Sequence, residues 1–245
     1  MNLRDTIAAC LLVALTGCQN TRQATPKTEQ MEVAAKILPA GRSHLANKNK
    51  TEDTFSILPF DADQLVDMPV QGRVVSGLRW KDIEGENVLV FSERLSEMPP
   101  SEDLDIPGEP ARNHALFAAH YLKPRDGSET VLKRLVRDAS GPCQFDVVAS
   151  FVSASFAVSD LDADGVGEAT FAYEVACRSD VSPSTMKLLL LEAGEKYILR
   201  GTRAISLGGG KFQGGDFTPG ARLRQGHSLF LGHTSAMWKK ISKAP

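Results

Sequence analysis

The sequence predicts a mainly β domain over residues 54–245, an antiparallel meander arranged propeller-like or as a sandwich. Three observations carry that expectation. Short apolar runs recur at close spacing, each bounded by Gly, Pro, Asp or Asn, which is the pattern of strands joined by turns. The chain holds 20 Gly and 13 Pro against only 7% aromatic residues, a balance that suits many turns better than a helical bundle. No long amphipathic helix stands out among the runs. With 245 residues and 42% in the hydrophobic class, the chain is long enough to bury a sizeable core.

In chain order the expected strands are 73–80, 87–91, 115–122, 131–136, 144–151, 155–158, 169–177, 186–191, 196–199, 203–207 and 228–231. Each is of strand length and rich in β-branched or aromatic residues. Residues 99–110 break the series with four prolines and several carboxylates, so they read as a solvated loop.

Ahead of the domain, residues 1–17 read as a signal segment, a short polar start followed by an apolar run over 7–15 that is too short to span a bilayer. Leu15-Thr16-Gly17-Cys18 resembles the lipobox of bacterial lipoproteins. That resemblance implies cleavage before Cys18 and acylation of its thiol, with palmitate among the acyl chains. The start departs from the pattern, because Arg4 is followed by Asp5 and the segment is nearly neutral. Each buried methylene of an acyl chain contributes about 0.8 kcal/mol, so the implied partner is a membrane and the implied address the bacterial cell envelope. Gln19 stands where an Asp favours inner-membrane retention, which points to the outer membrane. Residues 18–53 are polar apart from a short helical hint at 31–38, and read as a flexible, disordered tether.

Cysteine usage agrees with export. Of 4 Cys, Cys10 leaves with the signal segment and Cys18 carries lipid, so Cys143 and Cys177 remain to form one bridge. Two buried free thiols are the plainer alternative.

Lys plus Arg total 28 against 30 Asp plus Glu, so the broad positive field needed for nucleic acid is missing. The sharpest constellation is acidic. Asp160, Asp162, Asp164 and Glu168 occupy the first, third, fifth and ninth places of a loop with Gly165 sixth. Alternate oxygens around a reversing glycine suit a hard cation such as Ca²⁺, with the Val166 carbonyl as a further ligand. Phe171 stands where an EF-hand needs its bidentate Glu, and flanking residues alternate as strands. The unit therefore resembles the strand-loop-strand calcium sites of FG-GAP repeats, and an ion-free acidic hairpin is the bland alternative. A faint echo lies at Trp80-Lys81-Asp82-Ile83-Glu84-Gly85-Glu86-Asn87, where Asp82, Glu84 and Gly85 align with Asp162, Asp164 and Gly165. Ion binding is not expected there, and two unrelated turns explain the echo as well as a degenerate repeat does.

Trp80-Lys81-Asp82, Cys143-Gln144-Phe145-Asp146-Val147, the acidic loop, Cys177-Arg178-Ser179-Asp180-Val181-Ser182-Pro183 and Lys196-Tyr197-Ile198-Leu199-Arg200-Gly201 together resemble an uncharacterised family of exported bacterial lipoproteins. Some of its members are loosely labelled as surface polysaccharide biosynthesis proteins. The resemblance implies no catalytic residues.

Catalytic patterns are weak. Ser184-Thr185-Met186-Lys187 satisfies S-x-x-K without its K-T-G partner, and Gly208-Gly209-Gly210-Lys211 lacks the spacing of a phosphate loop. His114 with His120, and His227 with His233, share a face if each pair lies on a strand, too far apart for one metal. Asp146, Glu174 and Asp180 earn no role by linear position alone. Two readings follow. The favoured one is a non-enzymatic, lipid-anchored envelope module that binds or supports an envelope glycan or another envelope protein; the alternative is an enzyme of surface polysaccharide assembly or trimming.

Overall fold

In the computed structural model, which describes residues 55–243 apart from Val66 and His227, the apolar runs form two antiparallel meanders. The first contains β1 (Ser56–Leu58), β2 (Arg73–Lys81), β3 (Gly85–Met98), β4 (Ala111–Pro124) and β5 (Val131–Cys143), hydrogen-bonded in that order. The second contains β6 (Asp146–Ser159), β7 (Glu168–Arg178), β8 (Thr185–Glu192) and β9 (Glu195–Thr202). A small hairpin, β10 (Ile205–Gly208) and β11 (Lys211–Gln213), precedes β12 (Phe217–Pro219), which pairs back onto β9. Strands make up 56% and helix 12%, and neither sheet closes into a barrel, so the mainly β expectation holds in its sandwich form. The signal segment 1–17, Cys18, the tether 18–53 and the helical hint at 31–38 lie outside the described residues.

The two sheets share one core. Leu89 and Phe91 of β3, Leu116 and Ala118 of β4, Phe171 of β7 and Leu189 and Leu191 of β8 all pack into it. Phe91 sits among Phe151, Phe156 and Phe171 at ring-centre distances of 4.9, 4.2 and 5.1 Å. Truncating such a fully buried ring costs about 3–5 kcal/mol.

The outer faces are covered as well, which explains why the central strands read as continuous apolar runs rather than strict alternation. Val88, Val90, Ala119 and Tyr121 pack under Phe60, Leu65, Met68 and Val70 from the segment before β2. Met186, Leu188 and Leu190 pack under α1 (Ala221–Gln225) and α2 (Ser228–Ile241). Among the described residues, no helix is long and apolar enough to cross a membrane.

Helix α2 corrects the expected strand at 228–231. Its buried residues, Phe230, Thr234, Trp238 and Ile241, recur every three or four places and so share one helical face. The Leu229-Phe230-Leu231 triplet hides this period, because Leu229 is left exposed. The runs at 144–151 and 155–158 merge into the single strand β6, interrupted by a register shift between Val152 and Ala157. Ser155 repairs that interruption. Its buried hydroxyl donates to the Val152 carbonyl and accepts from the Ala172 N–H at 2.6 Å, replacing the lost backbone partner.

Cys143, at the end of β5, and Cys177, on β7, form the expected disulfide, with Cα atoms 5.6 Å apart. Nearby, the Ser140 hydroxyl donates to the Ala176 carbonyl. The two contacts clasp one sheet to the other.

Candidate cation site in the acidic turn

The turn between β6 and β7 carries the acidic pattern. Its backbone reverses through Ala163 at φ 61° and Gly165 at φ 89°, and a glycine is the residue that adopts the second without strain. Side chains brace the reversal, since Asp164 Oδ1 accepts from the Val166 N–H at 2.8 Å. The predicted ligands come together as two overlapping triplets rather than as one set. Carboxylate oxygens of Asp160, Asp162 and Glu168 lie within 4.8 Å of one another, and so do those of Asp162, Asp164 and Glu192. Val166 is half-buried beside them.

Glu168 is the unusual member. It opens β7 and is fully buried at 0% exposure. One oxygen, Oε2, accepts from the Leu161 N–H at 2.8 Å and the Ser159 hydroxyl at 3.3 Å. The other, Oε1, is buried with no hydrogen-bond partner, as is Asp160 Oδ1. Burial, assisted by the charges of Asp162, Glu192 and Asp160, pushes the Glu168 carboxyl up to about 8. Burial raises Asp160 too, with Asp164 and Asp162 adding to the effect. Buried carboxylates with bare lone pairs are costly unless protonated or paired with a cation. The donors are all hard oxygens, the chemistry that calcium takes.

Glu192 is the residue that sequence reasoning missed. It ends β8, in a different hairpin from the acidic turn, where it also accepts from the Tyr197 hydroxyl at 3.2 Å. No local spacing signals it, because only the pairing of β7 with β8 brings it to the turn.

The echo segment turns out to be the turn's anchor. Asp82 is buried, and its carboxylate takes five N–H donors. The Glu84 and Gly85 backbones donate to Oδ1 at 2.9 and 3.2 Å, while Trp80 Nε1, Asn87 Nδ2 and the Gly167 backbone donate to Oδ2 at 3.0, 2.8 and 3.1 Å. A second tie runs from the Ile83 N–H to the Gly165 carbonyl at 3.0 Å. The two similar turns therefore dock on each other, one from each sheet. Saturated with donors, Asp82 is a structural acceptor. Behind it, His120 Nε2 lies 2.9 Å from Asn87 Oδ1, and its ring stacks on Trp80 with centres 5.2 Å apart.

The remaining weak patterns separate. Ser184 donates to Glu174 while Lys187 pairs with Asp138, so the S-x-x-K residues do not meet. Glu174 is also held by Arg203 at 2.8 Å. Asp146 lies opposite Arg178 in the β6–β7 ladder, and Asp180 accepts from the Ser182 N–H at 2.9 Å. His114 faces Glu93 at 3.3 Å. His233 lies on α2 rather than on a strand, 3.1 Å from the Thr170 hydroxyl, and His227 is outside the described residues. Gly208, Gly209 and Gly210 form the tight β10–β11 turn. No family model, curated protein or solved structure matches the chain.

Proposed function

We propose that this chain is a lipid-anchored protein of the bacterial envelope, a non-enzymatic binding or structural module whose sandwich is braced by one Ca²⁺ in the acidic turn. The observation that carries the cation is Glu168, fully buried, with Oε1 unpartnered among the carboxylates of Asp160 and Asp162. Asp160, Asp162 and Glu168 supply the inner oxygens. Asp164, Glu192 and the Val166 carbonyl, with water, bring the shell toward the roughly six to eight oxygens that calcium accepts. Such an ion ties the β6–β7 turn to the end of β8, so its role is to stabilise. The lipobox-like 15–18 segment and the polar stretch 18–53 support attachment to the outer membrane through Cys18. The domain then stands off the membrane, free to meet an envelope glycan or another envelope protein.

Thermal unfolding of the full chain with chelator and with calcium tests the ion. At about ten times its dissociation constant, calcium adds about 1.4 kcal/mol, a rise of a few degrees for a domain of this size. Asp162→Asn, which weakens both triplets at once, removes that response, and magnesium gives a smaller one. Identical melting of the wild type in chelator and in calcium overturns the cation. The anchor is tested separately by the mass of the native N-terminus, expected to begin at an acylated Cys18; an unmodified Cys18 overturns it.

A further inference from the structure

The inward face of β9 breaks the rule of the sandwich interior. Lys196, Ile198 and Arg200 alternate along it, and while Ile198 joins the shared core, the two cations flank it. Lys187 of β8 lies directly opposite Arg200 in the ladder. Together with Asp138 of β5, these side chains line a cleft of about 370 Å³ where β5 faces β9; Arg137, next along β5, turns its guanidinium to the opposite face, over the Phe117 ring. The cleft has a strong charge imbalance. Three cations, Lys187, Lys196 and Arg200, meet a single carboxylate, Asp138, which is already paired with Lys187. Among the described residues, no carboxylate lies within ion-pair distance of Lys196 or Arg200. Burial, together with Arg200, Arg134 and Lys187, lowers the affinity of the Lys196 amine for its proton.

Like charges gathered around a cleft, here a half-buried Lys196 and an exposed Arg200, repel one another at a cost that an anion between them removes. We propose that this cleft is a binding site for a compact anionic group, a carboxylate or a phosphate, with Lys196 and Arg200 as its principal contacts. Arginine presents a planar fork that matches either group, and lysine adds a point charge. The volume exceeds that of the anion alone and leaves room for an attached ring, as in an acidic sugar. The site is independent of the cation in the acidic turn and stands or falls separately.

Calorimetric titration of the full chain with inorganic phosphate, with glucuronate and with uncharged glucose tests it. Saturable binding of at least one anion and none of glucose is expected. Lys196→Gln combined with Arg200→Gln weakens that binding by at least about tenfold, whereas Lys239→Gln combined with Lys240→Gln, an equal charge change on α2, leaves it unaltered. Relief of repulsion keeps the cleft variant melting no lower than the wild type without ligand. As a measurement that needs no variant, the backbone amide signals of Lys196 and Arg200 shift on titration while that of Lys239 does not. Phosphate binding alone identifies a phosphorylated ligand, glucuronate alone a carboxylated one, and both together a site that reads charge. Absence of saturable binding by either anion, or equal binding by the cleft variant, overturns the proposal.

Discussion

The Asp82 carboxylate accepts a hydrogen bond from the Gly167 backbone N–H at 3.1 Å, joining turns that lie 85 residues apart in sequence and belong to different sheets. With the donors from Trp80, Asn87, Glu84 and Gly85 on the same carboxylate, this contact makes Asp82 the point at which the first sheet holds the acidic turn of the second. The position of Glu168 one residue after Gly167 means that the buried carboxylate is set by this docking as well as by its own strand.

Asp82→Ala leaves several buried N–H groups without an acceptor. A loss of about 3–5 kcal/mol is expected, read from urea unfolding at neutral pH. A loss below about 1 kcal/mol, the net worth of a single ordinary hydrogen bond, contradicts the role given to this residue.

Gly167→Ala tests the close approach directly. A Cβ at this position would stand 2.4 Å from Trp80 Nε1 and 2.9 Å from Phe55 Cε2, so the Trp80 ring or the turn has to move. The expected cost is about 1–3 kcal/mol, with a change in Trp80 fluorescence measured in a Trp238→Phe background. An unchanged melting temperature rules out the tight docking.

The pH dependence of stability between 7 and 4 reports on His120. Burial holds its imidazole down at about 4, with nearby Lys133 acting in the same direction and Asp82 opposing. The unfolded chain takes up this proton near pH 6.5 while the folded chain stays neutral, so the stability present above about 6.5 is lost as pH falls toward 4. The native Nδ1 is buried without a partner, and protonating it places a charge there. The full effect is about 3 kcal/mol. The Glu168 carboxyl, held up at about 8, acts in the opposite sense over part of this range, so the His120 share is read as the difference between the two profiles. From pH 7 to 4 the wild type should lose about 3 kcal/mol more than His120→Gln does. Parallel profiles in urea unfolding across the range are the contrary result.

The Cys143–Cys177 bridge closes a loop of 34 residues in separation around the whole acidic hairpin. Chain entropy assigns it a stabilisation of about 3–4 kcal/mol. Alkylation without reductant, followed by peptide mapping, should find neither thiol free. Replacing both cysteines with alanine should lower the urea midpoint accordingly, and unchanged stability would contradict the clasp.

By itself the sequence determined the strands and the acidic turn, because both depend on short-range patterns. An apolar run of strand length, alternating or continuous, bounded by Gly, Pro, Asp and Asn marks a strand whatever it later packs on, and the spacing from Asp160 to Glu168 belongs to one turn. Tertiary structure decided what those pieces meet. The Leu188 to Leu191 run gave no hint that one face would meet the other sheet and the opposite face Trp238 of α2. Leu229-Phe230-Leu231 imitated a strand, because only docking on the second sheet selects the helical face of Phe230, Thr234 and Trp238. Glu192 joins the acidic turn through the β7–β8 ladder, and Asp82 reaches Gly167 only when two sheets stack. Such contacts arise between groups far apart along the chain, where no local propensity acts and burial and hydrogen-bond satisfaction choose the partners.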